Sequence, residues 1–193
     1  MKVPGLKIIL IITISNLLLF ATTLHSQVPI YFESDVIADT LYFGLPTGEE
    51  DIPQEFKEEE QAMMNLINAE RKRFGLKPLK IDTALSAACR YHAYDMATQN
   101  YISHTGYDRG KDGKRKFANS TFERISQFYD ATTLINENIA FGSKNVEDMF
   151  NLWVESDGHY KNMLAPNSRV AGIGLVYIPE SEYKYYWVYN SAE

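Results

Sequence analysis

Residues 134–142 read Leu134-Ile135-Asn136-Glu137-Asn138-Ile139-Ala140-Phe141-Gly142. A carboxylate between two amides sits inside an otherwise apolar run that stops at a glycine, as a strand or an ordered loop would. On its C-terminal side, Val146, Met149, Phe150 and Trp153 recur at helical spacing. Glu155, Ser156, Asp157 and Gly158 then lead to His159, and Gly158 would permit a tight backbone turn. The last third is rich in β-branched and aromatic residues over 170–177 and 183–189, around a turn at Pro179, and reads as a hairpin.

Upstream, residues 107–116 form a glycine-containing basic stretch that reads as a loop, and 120–129 read as a short helix carrying Phe122, Ile125 and Phe128. A first helix is expected from near Phe56. Glu58, Glu59 and Glu60 complement the dipole of its first turn, Met63, Leu66, Ile67 and Phe74 recur at helical spacing, and Gly75 ends it. After Pro78, Asp82 or Thr83 can cap a second helix with Leu85, Ala88, Cys89, His92 and Met96 on one face. On that apolar stripe His92 reads as a hydrogen-bonded core histidine and Cys89 as a buried, inert thiol. Helices and strands mix without a repeated βαβ unit, which gives an α+β class: helices packed on a small, largely antiparallel sheet.

The ends of the chain read differently. Residues 1–26 have the form of a signal peptide: Lys2 and Lys7, a short apolar stretch over 8–20, then a plausible cleavage region. From Gln27 to Pro53 the chain carries six acidic residues and no Lys or Arg, with Pro29 and Pro46 on the way, and residues 27–55 read as an acidic linker or a loosely docked arm that Tyr42 and its neighbours could pin down. The folded domain is expected over 56–193. Of the 193 residues, 45% are apolar and 23% charged, close to globular averages. The net charge of −6 disfavours nucleic acid and anionic lipid as partners. With Cys89 the sole cysteine, no intramolecular disulfide can form, although the leader directs export to a secreted or periplasmic location without stable membrane insertion.

Common hydrolase, metalloprotease and nucleotide-binding motifs are absent. Residues 108–113 only faintly resemble a calcium loop, because Gly110 and Lys111 stand where ligands or neutrality are needed. What remains are three polar residues in unusual settings: His104 in Tyr101-Ile102-Ser103-His104-Thr105, just past a helix; Glu137; and His159. Spacing alone does not bring them together.

Five motifs in order do carry a resemblance. Asn68-Ala69-Glu70-Arg71, Tyr101-Ile102-Ser103-His104-Thr105, Asn136-Glu137-Asn138-Ile139-Ala140, Trp153 through Gly158-His159-Tyr160-Lys161-Asn162-Met163-Leu164, and Gly172-Ile173-Gly174 resemble the CAP superfamily. That group holds the cysteine-rich secretory proteins, antigen five, the plant pathogenesis-related proteins and many bacterial members, and the likeness covers residues 60–190. It implies a three-layer α-β-α sandwich with a cleft lined by His104, Glu137 and His159. A fourth acidic position is occupied by Ser156, as in many bacterial members, while Glu155 precedes it. One residue along a helix turns a side chain by about 100°, so Glu155 need not reach the cleft.

Two imidazoles and a carboxylate suit an optional divalent ion such as Zn²⁺, with His104 and His159 as ligands. The resemblance implies a binding or interaction module for a protein, glycan or lipid rather than an enzyme. A peptidase-like hydrolase on the same groups, or a lipid or sterol carrier, are the alternatives.

Overall fold

The computed structural model describes residues 42, 44–130 and 135–193. The expected leader, and residues 27–41 and 43 of the expected arm, lie outside the described residues. Helix α1 (Lys57–Arg73) opens on Glu58, Glu59 and Glu60 and closes on Arg71, Lys72 and Arg73, so both ends complement the helix dipole. After β1 (Lys80–Ile81), Asp82 caps α2 (Thr83–Gln99) by accepting the Leu85 N–H at 2.9 Å. Asn100 ends that helix in the left-handed region, φ 54°. Strands β2 (Gly106–Arg109) and β3 (Arg115–Asn119) follow, then α3 (Thr121–Phe128), which starts at a reciprocal capping box between Ser120 and Glu123. The chain ends with β4 (Asn136–Phe141), α4 (Val146–Glu155), α5 (Asp157–Met163), β5 (Val170–Tyr177) and β6 (Tyr185–Ala192).

The main sheet has the order β1-β5-β6-β4; both pairs made by β6 are antiparallel and only the two-residue β1 runs parallel to its neighbour. Its two faces follow from the period of two along β5. Gly172 and Gly174 face α2, where an added Cβ would lie 2.3 Å from the Leu85 carbonyl carbon and 2.4 Å from the Arg90 nitrogen. Ile173 and Leu175 face the other way and join Met63, Met64 and Ile67 of α1 with Trp153 of α4 in the larger core. Helices α2 and α3 therefore cover one face and α1, α4 and α5 the other, the α-β-α sandwich that the motifs implied.

The structure revises two local expectations. Residues 107–116 are not a loop: Gly110 donates to the Lys114 carbonyl at 2.9 Å, Gly113 takes φ 73°, and the flanking residues pair as the β2–β3 hairpin. Gly158 does not make the turn before His159. It lies inside α5, and the chain bends at Ser156, whose non-helical φ of −100° and ψ of 115° separate α4 from α5.

Residues 44–55 contain no strand and rest on α2 and the hairpin. Tyr42 is buried and stacks on Tyr94 at 4.9 Å, Gly44 donates to Asp108 Oδ1 at 2.9 Å, and Ile52 is buried.

Candidate functional site

Glu137 is the second residue of β4, and the alternation of that strand turns its side chain with that of Ile139 toward α2 and α3, while Ala140 joins the opposite core. There it meets Arg124, which the capped first turn of α3 places beside buried Ile125. Arg124 Nη2 donates to Glu137 Oε2 at 2.7 Å, and both side chains are buried. The Asn190 amide nitrogen, in the orientation that satisfies both ends of the amide, donates to the same oxygen at 3.1 Å.

The other oxygen, Oε1, lies 2.9 Å from His104 Nδ1. Burial alone would raise the Glu137 pKa, but the Arg124 charge and then the His104 hydrogen bond outweigh it and hold the carboxyl down at about 2. An ionised carboxylate only accepts, so Nδ1 is the protonated nitrogen of His104. The loop carrying His104 is also fixed through its carbonyl, which accepts from Thr121 Oγ1 at 2.9 Å and Arg124 Nη1 at 3.2 Å. The His104 side chain is nevertheless 54% exposed, so its Nε2 edge faces solvent.

His159 arrives on α5, which two amides tie to β4. Asn138 Nδ2 donates to the His159 carbonyl at 2.9 Å, and Asn162 Nδ2 donates to the Glu137 carbonyl at 3.0 Å. The ring is half-buried. Burial lowers its pKa first and the charge of His104 lowers it further, which favours neutral His159. The His104 loop and α5, distant in sequence, are thus both tied to β4 at Glu137 and Asn138. Glu155 is exposed at the end of α4 and enters none of the hydrogen bonds or ion pairs around Glu137.

The remaining polar residues singled out in the sequence are structural. His92 is fully buried, with Nε2 2.8 Å from the Ser103 carbonyl, which steadies the loop that ends in His104. Cys89 is buried, and burial pushes its thiol pKa well up, which removes it as a nucleophile. Arg71 spends its guanidinium on the carbonyls of Lys77, Met163, Ala165 and Ser168, and Asn68 exchanges two bonds with the backbone of Leu79.

Sequence reasoning missed Arg124, Thr121 and Asn190. The available signal was Glu137 itself, since a carboxylate inside an apolar strand needs a buried cation or donors.

Residues 64–191 match the family described as CAP, the cysteine-rich secretory protein family. The chain belongs to this family. Among curated proteins it is similar to YkwD of Bacillus subtilis, an uncharacterized protein, at 38% identity over 117 residues, covering 61% of this chain and 42% of that one. The CAP chain thus spans less than half the length of that relative. Among solved structures it is similar to an outer surface protein of Borrelia burgdorferi, with TM-score 0.61, 20% identity and coverage of 71% of this chain and 93% of the other. It is also similar to an extracellular protein with an SCP domain from Bacillus anthracis, with TM-score 0.58, 23% identity and coverage of 70% and 40%. At these identities the structures bear on the fold alone, and they agree with the sandwich described above.

Proposed function

We propose that this CAP protein is exported and acts as a binding module, engaging a protein, glycan or lipid partner through the surface around His104 and His159. The observation that supports this reading is the state of Glu137. Both of its oxygens are engaged and its pKa lies near 2. A general acid or base works best with a pKa near the working pH, so this carboxylate is a poor proton carrier and a good fixed support. It orients the His104 ring as a carboxylate standing behind a metal-binding histidine does. Export rests on the leader expected over 1–26. Among the described residues no helix is long and apolar enough to cross a membrane.

The donor set suits a divalent ion such as Zn²⁺ through His104 Nε2 and neutral His159, with Glu137 standing behind His104 instead of ligating. Among the described residues no third His, Cys, Asp or Glu joins them, so water or a partner's group would complete the coordination. Such an ion would supply a charged anchor for a partner's carboxylate or carbonyl.

Calorimetric titration of Zn²⁺ into the protein and into His104→Ala/His159→Ala tests this reading. Binding by the first and not the second is expected; equal binding by both rules out the site. The hydrolase alternative rests on the same carboxylate-oriented imidazole acting as a base on water. It requires turnover of a peptide or ester panel that disappears in His104→Ala.

A further inference from the structure

The two edges of the main sheet are closed in different ways. At β4, Asn162 Nδ2 and the Trp153 indole take the outward carbonyls of Glu137 and Ile139 at 3.0 Å each. At β5, pairing with β1 stops at Ala171, whose carbonyl accepts the Asp82 N–H at 2.9 Å. Four residues on, the Leu175 N–H leaves the sheet and donates to Glu60 Oε1 at 3.2 Å.

Alternate residues of a strand send their backbone groups to the same side. Ile173, midway between Ala171 and Leu175, therefore also turns its N–H and C=O away from β6. Among the described residues no hydrogen-bonding group meets them. A cavity of about 260 Å³ lies at this point, with Ile173, Met64 and Glu60 in its wall and the exposed Lys57, Gln61 and Thr83 also lining it. None of His104, Glu137 or His159 borders it.

A free N–H and C=O on one strand residue complement the N–H and C=O of one residue of an extended chain, which point to the same side, the basis of strand-addition binding. Glu60 already imitates such a neighbour, because its oxygen sits where an added strand's carbonyl would sit. Its own charge is matched by Arg90 at 3.2 Å, and Gln54 adds a donor at 2.7 Å. Lys57 makes no ion pair among the described residues and remains available to an anion.

We infer that the cavity is a docking pocket for the carboxyl-terminal end of a short extended peptide, with the N–H and C=O of its penultimate residue paired to Ile173 and the terminal carboxylate facing Lys57. Small-molecule pockets run from about 300 to 1,000 Å³, so a cavity just below that range takes two or three small residues. Met64 and Ile173 supply apolar contact, and the Gln61 and Thr83 side chains supply further hydrogen bonds. This site is separate from the histidine surface, and its fate does not depend on the role of that surface.

Titrating isotopically labelled protein with L-Ala-L-Ala-L-Ala, while following the amide resonances, tests the assignment. Saturable shifts of the Ile173 N–H are expected. The analogue with an ester in place of the first amide, which removes the N–H of the central residue, and the C-terminally amidated tripeptide, should each bind at least about tenfold more weakly, a loss near 1.4 kcal/mol. Gln61→Trp, at an exposed position of α1, should fill the cavity and abolish binding with Tm unchanged. If that variant lowers Tm, Lys57→Gln serves in its place and should erase the preference for the free carboxylate. No shift at Ile173 up to about 10 mM peptide, which is weaker than the roughly −4 kcal/mol of millimolar binding, would overturn the inference. So would equal affinity for amide and ester, or a carboxylate preference that survives Lys57→Gln.

Discussion

Arg124 Nη2 lies 2.7 Å from Glu137 Oε2, and both residues are buried beneath the exposed ring of His104. A buried ion pair of this kind contributes little net stability compared with apolar residues, but removing one member strands the other charge without water. The pair therefore acts as an anchor whose two halves depend on each other.

Arg124→Met should destabilise the protein by about 3–5 kcal/mol, the usual cost of orphaning a buried charge. Arg124→Met with Glu137→Leu should recover part of that loss, because no ion is then left behind. Urea denaturation of the three proteins checks this. Additive losses in the double variant would show that the two side chains are not coupled.

Stability should fall on acidification in a defined window. The folded-state pKa of Glu137 is about 2, below the value near 4.3 of a free glutamate, so the native state binds fewer protons. The stabilisation is full above pH ~4.3 and is lost as pH falls toward 2, on the order of 3 kcal/mol for this one group. His92 and His159 are also lowered, so their contribution is lost as pH falls below the free-histidine range. Glu60 is raised by burial and runs the opposite way, its contribution fading as pH rises through its folded value. Tm measured from about pH 7 to about pH 2.5 should fall steeply below pH ~4.3, and Glu137→Gln should flatten that lower segment.

Gly172→Ala and Gly174→Ala should each cost about 3 kcal/mol or more, at or above the usual range for overpacking. The added methyl would meet helix backbone at 2.3 and 2.4 Å, and backbone cannot swing aside as a side chain can. Gly75→Ala has open space, yet its φ of 69° makes the substitution strained. Chemical denaturation of all three should rank Gly172 and Gly174 as the more sensitive positions.

Where sequence and structure agree, the reason is local. Asp82 and Ser120 cap the helices that they were expected to cap or open, because a side-chain acceptor and the third amide along are fixed by the chain itself. The pairing of 170–177 with 185–192 likewise follows from two β-rich runs around a turn. Arg124 was invisible because its partner comes 13 residues later on another element, and nothing in Phe122-Glu123-Arg124-Ile125 marks a buried cation. The β2–β3 hairpin was legible in principle, since Asp112-Gly113 is a turn signal, but five basic residues and few apolar ones hid the strands. Motif order alone points to His104, Glu137 and His159, and only tertiary packing explains why α5 lies beside β4: Asn138 and Asn162 hold the two together. The cavity beside Ile173 had no sequence signal, because it arises where β1 ends too early to complete the edge.

Glu137 holds His104 by Nδ1, which leaves Nε2 facing outward, and the proposed binding surface depends on that orientation. Long-range ¹H–¹⁵N spectra of the histidine side chains, recorded where the ring is neutral, read the tautomer directly. The prediction is an Nδ1–H tautomer for His104 that gives way to mixed or Nε2–H character in Glu137→Gln. An Nε2–H tautomer in the unaltered protein would contradict it.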